Sequence, residues 1–107
     1  MLDKLEAMLA GGQDSASLRF ALATGYFRQG DTERAIEHAR VAVTVEPDYS
    51  AAWRLLGQAQ AAAGLSADAA ASFERGIQVA KQAGDRQVEK EMQVFLRRLA
   101  KPDDSPG

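Results

Sequence analysis

His38 is the only side chain in this sequence of 107 residues with the intrinsic acidity to pass a proton near neutral pH. It stands between Glu37 and Ala39, and no serine, cysteine or carboxylate is spaced to make it a general base for a nucleophile. The chain has no cysteine, which removes thiol chemistry, disulfides and thiolate metal sites, and a single histidine cannot build an imidazole cluster. Its glycines punctuate turns and form neither a dinucleotide-binding nor a P-loop pattern. We therefore expect no catalytic residue, no metal and no cofactor, and read His38 as a surface or seam residue. Phe20, Thr24 and Phe27 are spaced i, i+4, i+7 and share one helical face, and arginines such as Arg28 and Arg54 offer planar forks for a carboxylate.

The elements that position these residues follow from composition and repetition. With 46% apolar and 26% charged residues, the chain has the makings of one packed domain. The formal charge of −2 argues against a general nucleic-acid binder, whose affinity comes from neutralising phosphates. No apolar run approaches the roughly 18 residues needed to cross a bilayer, and the opening MLDKLEAMLA lacks the basic start and apolar stretch of an export signal. A cytoplasmic protein without membrane contact is the expectation.

Self-similarity organises the chain. Leu22 and Leu56, Gly30 and Gly64, Ala35 and Ala69, and Val43 and Ile77 all recur at an offset of 34. Each unit predicts two helices around a short turn, over 16–29 and 32–46, then over 50–63 and 67–80. Gly30 and Gly64 end the first helix of each pair, where a left-handed residue is needed. Asp31, Ser66 and Asp48 are the expected N-caps of the helices that follow them, and Pro47 closes the first unit.

In the second unit Trp53, Leu56, Gly57, Gly64, Ala69 and Phe73 fall at the spacing W-x2-L-G, turn glycine, A-x3-F. That combination resembles the tetratricopeptide repeat. The first unit keeps Leu22, Tyr26, Gly30, Ala35, Ala42 and Pro47, with Arg19, Ala23 and Ala39 in place of the tryptophan, glycine and phenylalanine. The second departs at Gln60, Gly76 and Lys81, where an aromatic, an alanine and a proline are usual. The flanks can be read on the same frame. Leu2, Leu5 and Leu9 share a face, so the N-terminal segment mimics the second helix of a repeat. Val88, Met92, Phe95, Leu96 and Leu99 form the inner stripe of a capping helix over 85–100, with a one-residue slip allowed across Gly84. The expectation is an all-α short solenoid of about six helices forming one domain over 1–101. It divides into a half-repeat helix (1–12), repeat 1 (16–49), repeat 2 (50–83) and a cap (84–101), with a frayed tail over 102–107.

The resemblance implies a noncatalytic module that binds a protein or peptide in a concave groove lined by the first helix of each repeat. Its positions fall on Phe20, Thr24, Phe27 and Arg28, and on Arg54, Gln58 and Ala61. The bland alternative is that the aromatics only pack on a neighbouring helix and the arginines are solvated. A subset of the family holds a chaperone C-terminus with lysine and asparagine one turn apart; Phe20 and Thr24 stand there instead, so that clamp is not expected. Tyr26, Trp53 and Phe73 are read as core, and Ala35, Ala42, Gly57, Ala69 and Gly76 as small residues that let helices approach closely. Between Lys81 and Lys101 six cations face three anions, which reads as a solvated cap face or, more sharply, a dock for an acidic protein surface or RNA. The alternative function is self-assembly, the terminal helices pairing into a homodimer.

Overall fold

The structure is a computed structural model that describes residues 1–100, so the expected frayed tail over 102–107 lies outside the described residues. Among the described residues there are six helices and no strand. They are α1 (Leu2–Ala10), α2 (Ala16–Arg28), α3 (Thr32–Val45), α4 (Ser50–Ala62), α5 (Ser66–Ala83) and α6 (Arg86–Ala100). Helices α2 and α3 form one tight hairpin and α4 and α5 a second; α4 also packs on α3, α6 on α5 and α4, and α1 along α2. The stack is a slab of 51 × 34 × 18 Å.

The turns show how the sequence sets this geometry. Gly30, Gly64 and Gly84 take φ of 82°, 81° and 73°, a region that L side chains avoid. After each, the next amide reaches back to the closing helix: Asp31 to the Tyr26 carbonyl at 2.9 Å, Leu65 to Gln60 at 2.8 Å and Asp85 to Ala80 at 2.9 Å. The capping differs between the units. Ser15 accepts from the Leu18 amide and Asp31 from the Arg34 amide, both at 3.1 Å. The residues in the same places of the second hairpin are Tyr49 and Leu65, and neither side chain caps. This corrects two expectations: Ser66 is the first helical residue rather than the cap, and Asp48 lies one residue too early. Leu65 nonetheless has φ −90° and ψ 67°, close to the −87° and 79° of Asp31.

The second helix of the second hairpin is longer than expected. Pro47 follows soon after α3 ends at Val45, but Lys81 occupies the matching place, so α5 runs on to Ala83 until Gly84 stops it. The register slip is consequently two residues rather than one: α4 begins 34 residues after α2, and α6 begins 36 after α4. Asp85 then accepts from the Val88 amide at 3.2 Å and caps α6.

Small residues form the seams. Ala23, Ala35, Ala39, Ala42, Ala52 and Ala59 are fully buried with Leu55, Leu56, Ile36 and Val43 between α2, α3 and α4. A second cluster joins Ala69, Phe73 and Ala80 of α5 to Met92 of α6, with Phe95, Leu96 and Leu99 against it. A Cβ on Gly57 would run into the Phe73 ring, and one on Gly76 into Met92 and Trp53. The apolar stripe of α6 thus supplies burial that the second hairpin lacks. By contrast α1 has no fully buried residue. Leu2 rests against Gly25, where a Cβ would lie 2.5 Å from Leu2 Cδ2.

Candidate partner-binding groove

Helix α2 carries Phe20, Thr24, Phe27 and Arg28, and α4 carries Arg54, Gln58 and Ala61. The structure divides these residues among three environments. Phe27, Gln58 and Ala61 come together in an apolar hollow of about 290 Å³, closed by Phe73 of α5 and by Phe95, Arg98 and Leu99 of α6. Phe20, Thr24 and Arg28 line a second hollow of about 520 Å³ on the other flank of α2, walled by Met1 and by Leu2 and Leu5 of α1. Arg54 belongs to neither, because its Nη1 donates to Glu91 Oε2 of α6 at 2.8 Å.

Each placement has a local cause. Phe20 leans on Tyr49, with ring centroids 5.1 Å apart, so one face is spent on the start of α4. The Thr24 hydroxyl donates to the Phe20 carbonyl at 2.9 Å, so its hydrogen is spent within α2. Phe95 lies 5.5 Å from Phe73, and that pair makes the floor and one wall of the first hollow. Ala61, the smallest side chain of the lining, leaves space open. The charges are one-sided. Among the described residues, Arg98 has the only charged side chain lining the first hollow and Arg28 the only one lining the second. Both are exposed, and among the described residues neither has a carboxylate within ion-pair distance.

Sequence reasoning missed Phe73, Phe95, Arg98 and Leu99 as hollow residues, and Met1, Leu2 and Leu5 likewise. The two-residue shift of α6 removes any signal for its residues at the repeat offset. The breadth of the α6 apolar stripe, wider than contact with α5 alone requires, was the clue available.

The titratable groups that stand out lie elsewhere, at the seam of α1, α2 and α3. His38 is 6% exposed, its ring stacked on Tyr26 at 5.6 Å. Arg19 Nη1 lies 3.1 Å from His38 Nδ1, and since a guanidinium can only donate, Nδ1 accepts and the neutral ring carries its proton on Nε2. That nitrogen faces Glu6 at 3.5 Å, and Glu6 also accepts from the Tyr26 hydroxyl at 2.9 Å. The Arg19 fork bound to Asp14 holds that carboxyl below its ordinary range. The bond to Glu6 pushes the Tyr26 phenol up. Burial does the same for Tyr49. In the second hairpin Gln60 and Ser72 replace Tyr26 and His38, and the Ser72 hydroxyl donates to Gln60 Oε1 at 2.6 Å. These groups tie helices together. Among the described residues no group of histidines and acids could hold a metal, and no helix is long and apolar enough to cross a membrane.

A stack of helical hairpins with a repeat of 34 residues, closed by an amphipathic helix, defines a helical-repeat protein. The tetratricopeptide repeat family profile matches residues 20–85. A TPR repeat-containing protein of Pseudomonas aeruginosa is 52% identical over 99 residues, covering 92% of this chain and 94% of that protein. The solution structure of a Bordetella parapertussis protein superposes with a TM-score of 0.83 at 44% identity, over 96% of this chain and 90% of that one. The crystal structure of a tetratricopeptide repeat domain protein of Salinibacter ruber gives 0.76 at 24% identity, over 81% of this chain and 97% of that one, a likeness of fold alone. The chain belongs to the tetratricopeptide repeat family, whose members generally mediate protein–protein interaction and act as noncatalytic modules.

Proposed function

We propose that this chain is a noncatalytic, cytoplasmic interaction module that takes a peptide segment or helix of a partner protein into the hollow between α2, α4 and α6. We take 1–101 as its domain, with a half-repeat over 1–12, repeats over 16–49 and 50–83, and a cap over 84–101. The observation that carries the reading is the open apolar hollow of about 290 Å³ walled by Phe27 and Phe95. Monomeric proteins seldom leave apolar concavities without use. The binding set we favour is Phe27, Gln58 and Ala61 with Phe95, Arg98 and Leu99; Phe20, Thr24 and Arg28 serve the second hollow, and Arg54 positions α6 through Glu91.

Selection from a phage-displayed random peptide library tests this. The wild type should enrich a family of peptides. Ala61→Trp fills the hollow from a half-buried position and should lose that family while unfolding at the same temperature as the wild type. Retention of the same peptides by this folded variant would remove the hollow as the site.

A further inference from the structure

The two hollows flank α2 and meet at consecutive residues, since Phe27 lines one and Arg28 the other. Their linings share a pattern: apolar and aromatic side chains, a few neutral polar groups, and one exposed arginine each. Of the other arginines, Arg40, Arg75 and Arg86 are exposed and line neither hollow, and three are engaged. Arg19 is held by Asp14, Arg34 by Asp31 and the Tyr26 ring, and Arg54 by Glu91. Arg97 adds a further exposed cation beside Arg98 in the last turn of α6. A chain of net charge −2 that leaves arginines unpaired at the mouths of its apolar hollows presents a local field opposite to its total charge.

We infer that the groove's partner is an acidic protein segment whose bulky apolar side chains enter the hollows beside α2 and whose carboxylates meet Arg28 and Arg98. This rests on the peptide-binding reading above and deepens it by naming the chemistry of the occupant. The guanidiniums supply selectivity: a carboxylate reaching Arg98 or Arg28 completes a charge-assisted bond that none of the described residues supplies, whereas a lysine-bearing segment meets like charge with no acidic residue among the described lining to offset it. The apolar anchors distinguish this from a polyanion surface. Nucleic acid binds by phosphate contacts along a basic stripe, while here each hollow has a single arginine in an otherwise uncharged lining of side chains.

The experiment is an NMR titration of the isotope-labelled full chain with three synthetic dodecapeptides at low and high salt. One has two leucines bracketing two glutamates, one has lysines for the glutamates, and one has serines for the leucines. The acidic, leucine-bearing peptide should shift the amides of Ala61 and Arg98 and bind more weakly at high salt, with R28E and R98E each weakening it about tenfold. The lysine and serine peptides should bind at least ~tenfold more weakly. Equal binding of the glutamate and lysine peptides, unchanged in R28E and R98E, overturns the acidic-partner inference and leaves the peptide groove standing. Equal binding of the serine peptide, or displacement of the acidic peptide by polyuridylate, overturns it in favour of a polyanion surface. If none of the three binds while phage-selected peptides are still captured by wild type and lost in Ala61→Trp, only the acidic chemistry fails; if those too are absent, the groove reading falls with it.

Discussion

Replacing Gly57 by alanine sets two effects of opposite sign against each other. Inside a helix the exchange gains about 1 kcal/mol from reduced backbone freedom. At this position the new methyl meets three ring atoms of Phe73, Cε1, Cδ1 and Cζ. Phe73 is 1% exposed and has the Phe95 ring packed on it at 5.5 Å, so its ring has little room to retreat. Overpacking of this kind costs about 1–3 kcal/mol, and the confinement puts it at the upper end. The net expectation is destabilisation by about 2 kcal/mol, or roughly 8–16 °C in Tm for a domain of this size. Urea unfolding followed by circular dichroism measures it. The first hairpin shows that small-on-small packing is tolerated there, with Ala23 and Ala39 in the two matching places, both fully buried. The decisive comparison is therefore G57A in an F73L background, where two of the three clashing ring atoms are gone. There it should cost less than half as much, the difference being the coupling between the two sites. If G57A is neutral or stabilising in the wild type, or costs the same in both backgrounds, close approach of α4 and α5 at this seam is not what the glycine provides.

Three further expectations follow from the same geometry. Leu65 has the backbone of a cap and no acceptor, and it is 42% exposed, so L65D should recover what Asp31 supplies in the first hairpin: about 1 kcal/mol, seen as a higher midpoint in thermal unfolding. The Arg54–Glu91 pair is partly solvated, with side chains 27% and 37% exposed, so E91Q should cost at most ~1 kcal/mol, and the loss should shrink in high salt when read by chemical denaturation. The Tyr26 phenol is raised from 10.0 chiefly by its bond to Glu6. A group raised on folding contributes stability that is complete below its ordinary value of 10.0 and is lost as the pH climbs through the raised one. Spectrophotometric titration in a Y49F background should show Tyr26 ionising late, and E6Q should bring it back towards 10.0; an unchanged titration in E6Q would refute the assignment.

The offset of 34 located both hairpins because it is written in residues with a single steric job. A left-handed glycine and an alanine at a helix crossing cannot be exchanged for anything larger without strain. Helix capping was less legible. Ser15 and Asp31 cap as their types suggest, but Tyr49 and Leu65 hold the matching places without the chemistry, and the capping types stand next to them at Asp48 and Ser66. The groove was legible as a face of α2 and not as a site. Whether a helical face is open depends on what lies across from it, and Arg54 shows the limit: its type suits a ligand carboxylate, and Glu91, remote in sequence, takes it.

The shape of the first hollow traces back to two residues that break the repeat, Lys81 and Gly76. With lysine rather than proline at 81, α5 continues to Ala83 and α6 starts two residues late on the repeat frame. That shift brings Met92, fully buried, over Gly76, where the absent side chain makes room for it. With Met92 fixed, the rest of α6 has no freedom. One residue earlier, Glu91 faces α4 and meets Arg54; three residues later, Phe95 reaches Phe73; two turns further along, Arg98 and Leu99 stand opposite Ala61. Phe27 and Phe95 consequently line one hollow together with an alanine instead of a third large side chain, and the hollow is left open. The departures at Gly76 and Lys81, which look like erosion of the repeat when read along the sequence, are in the folded chain the conditions for its hollow.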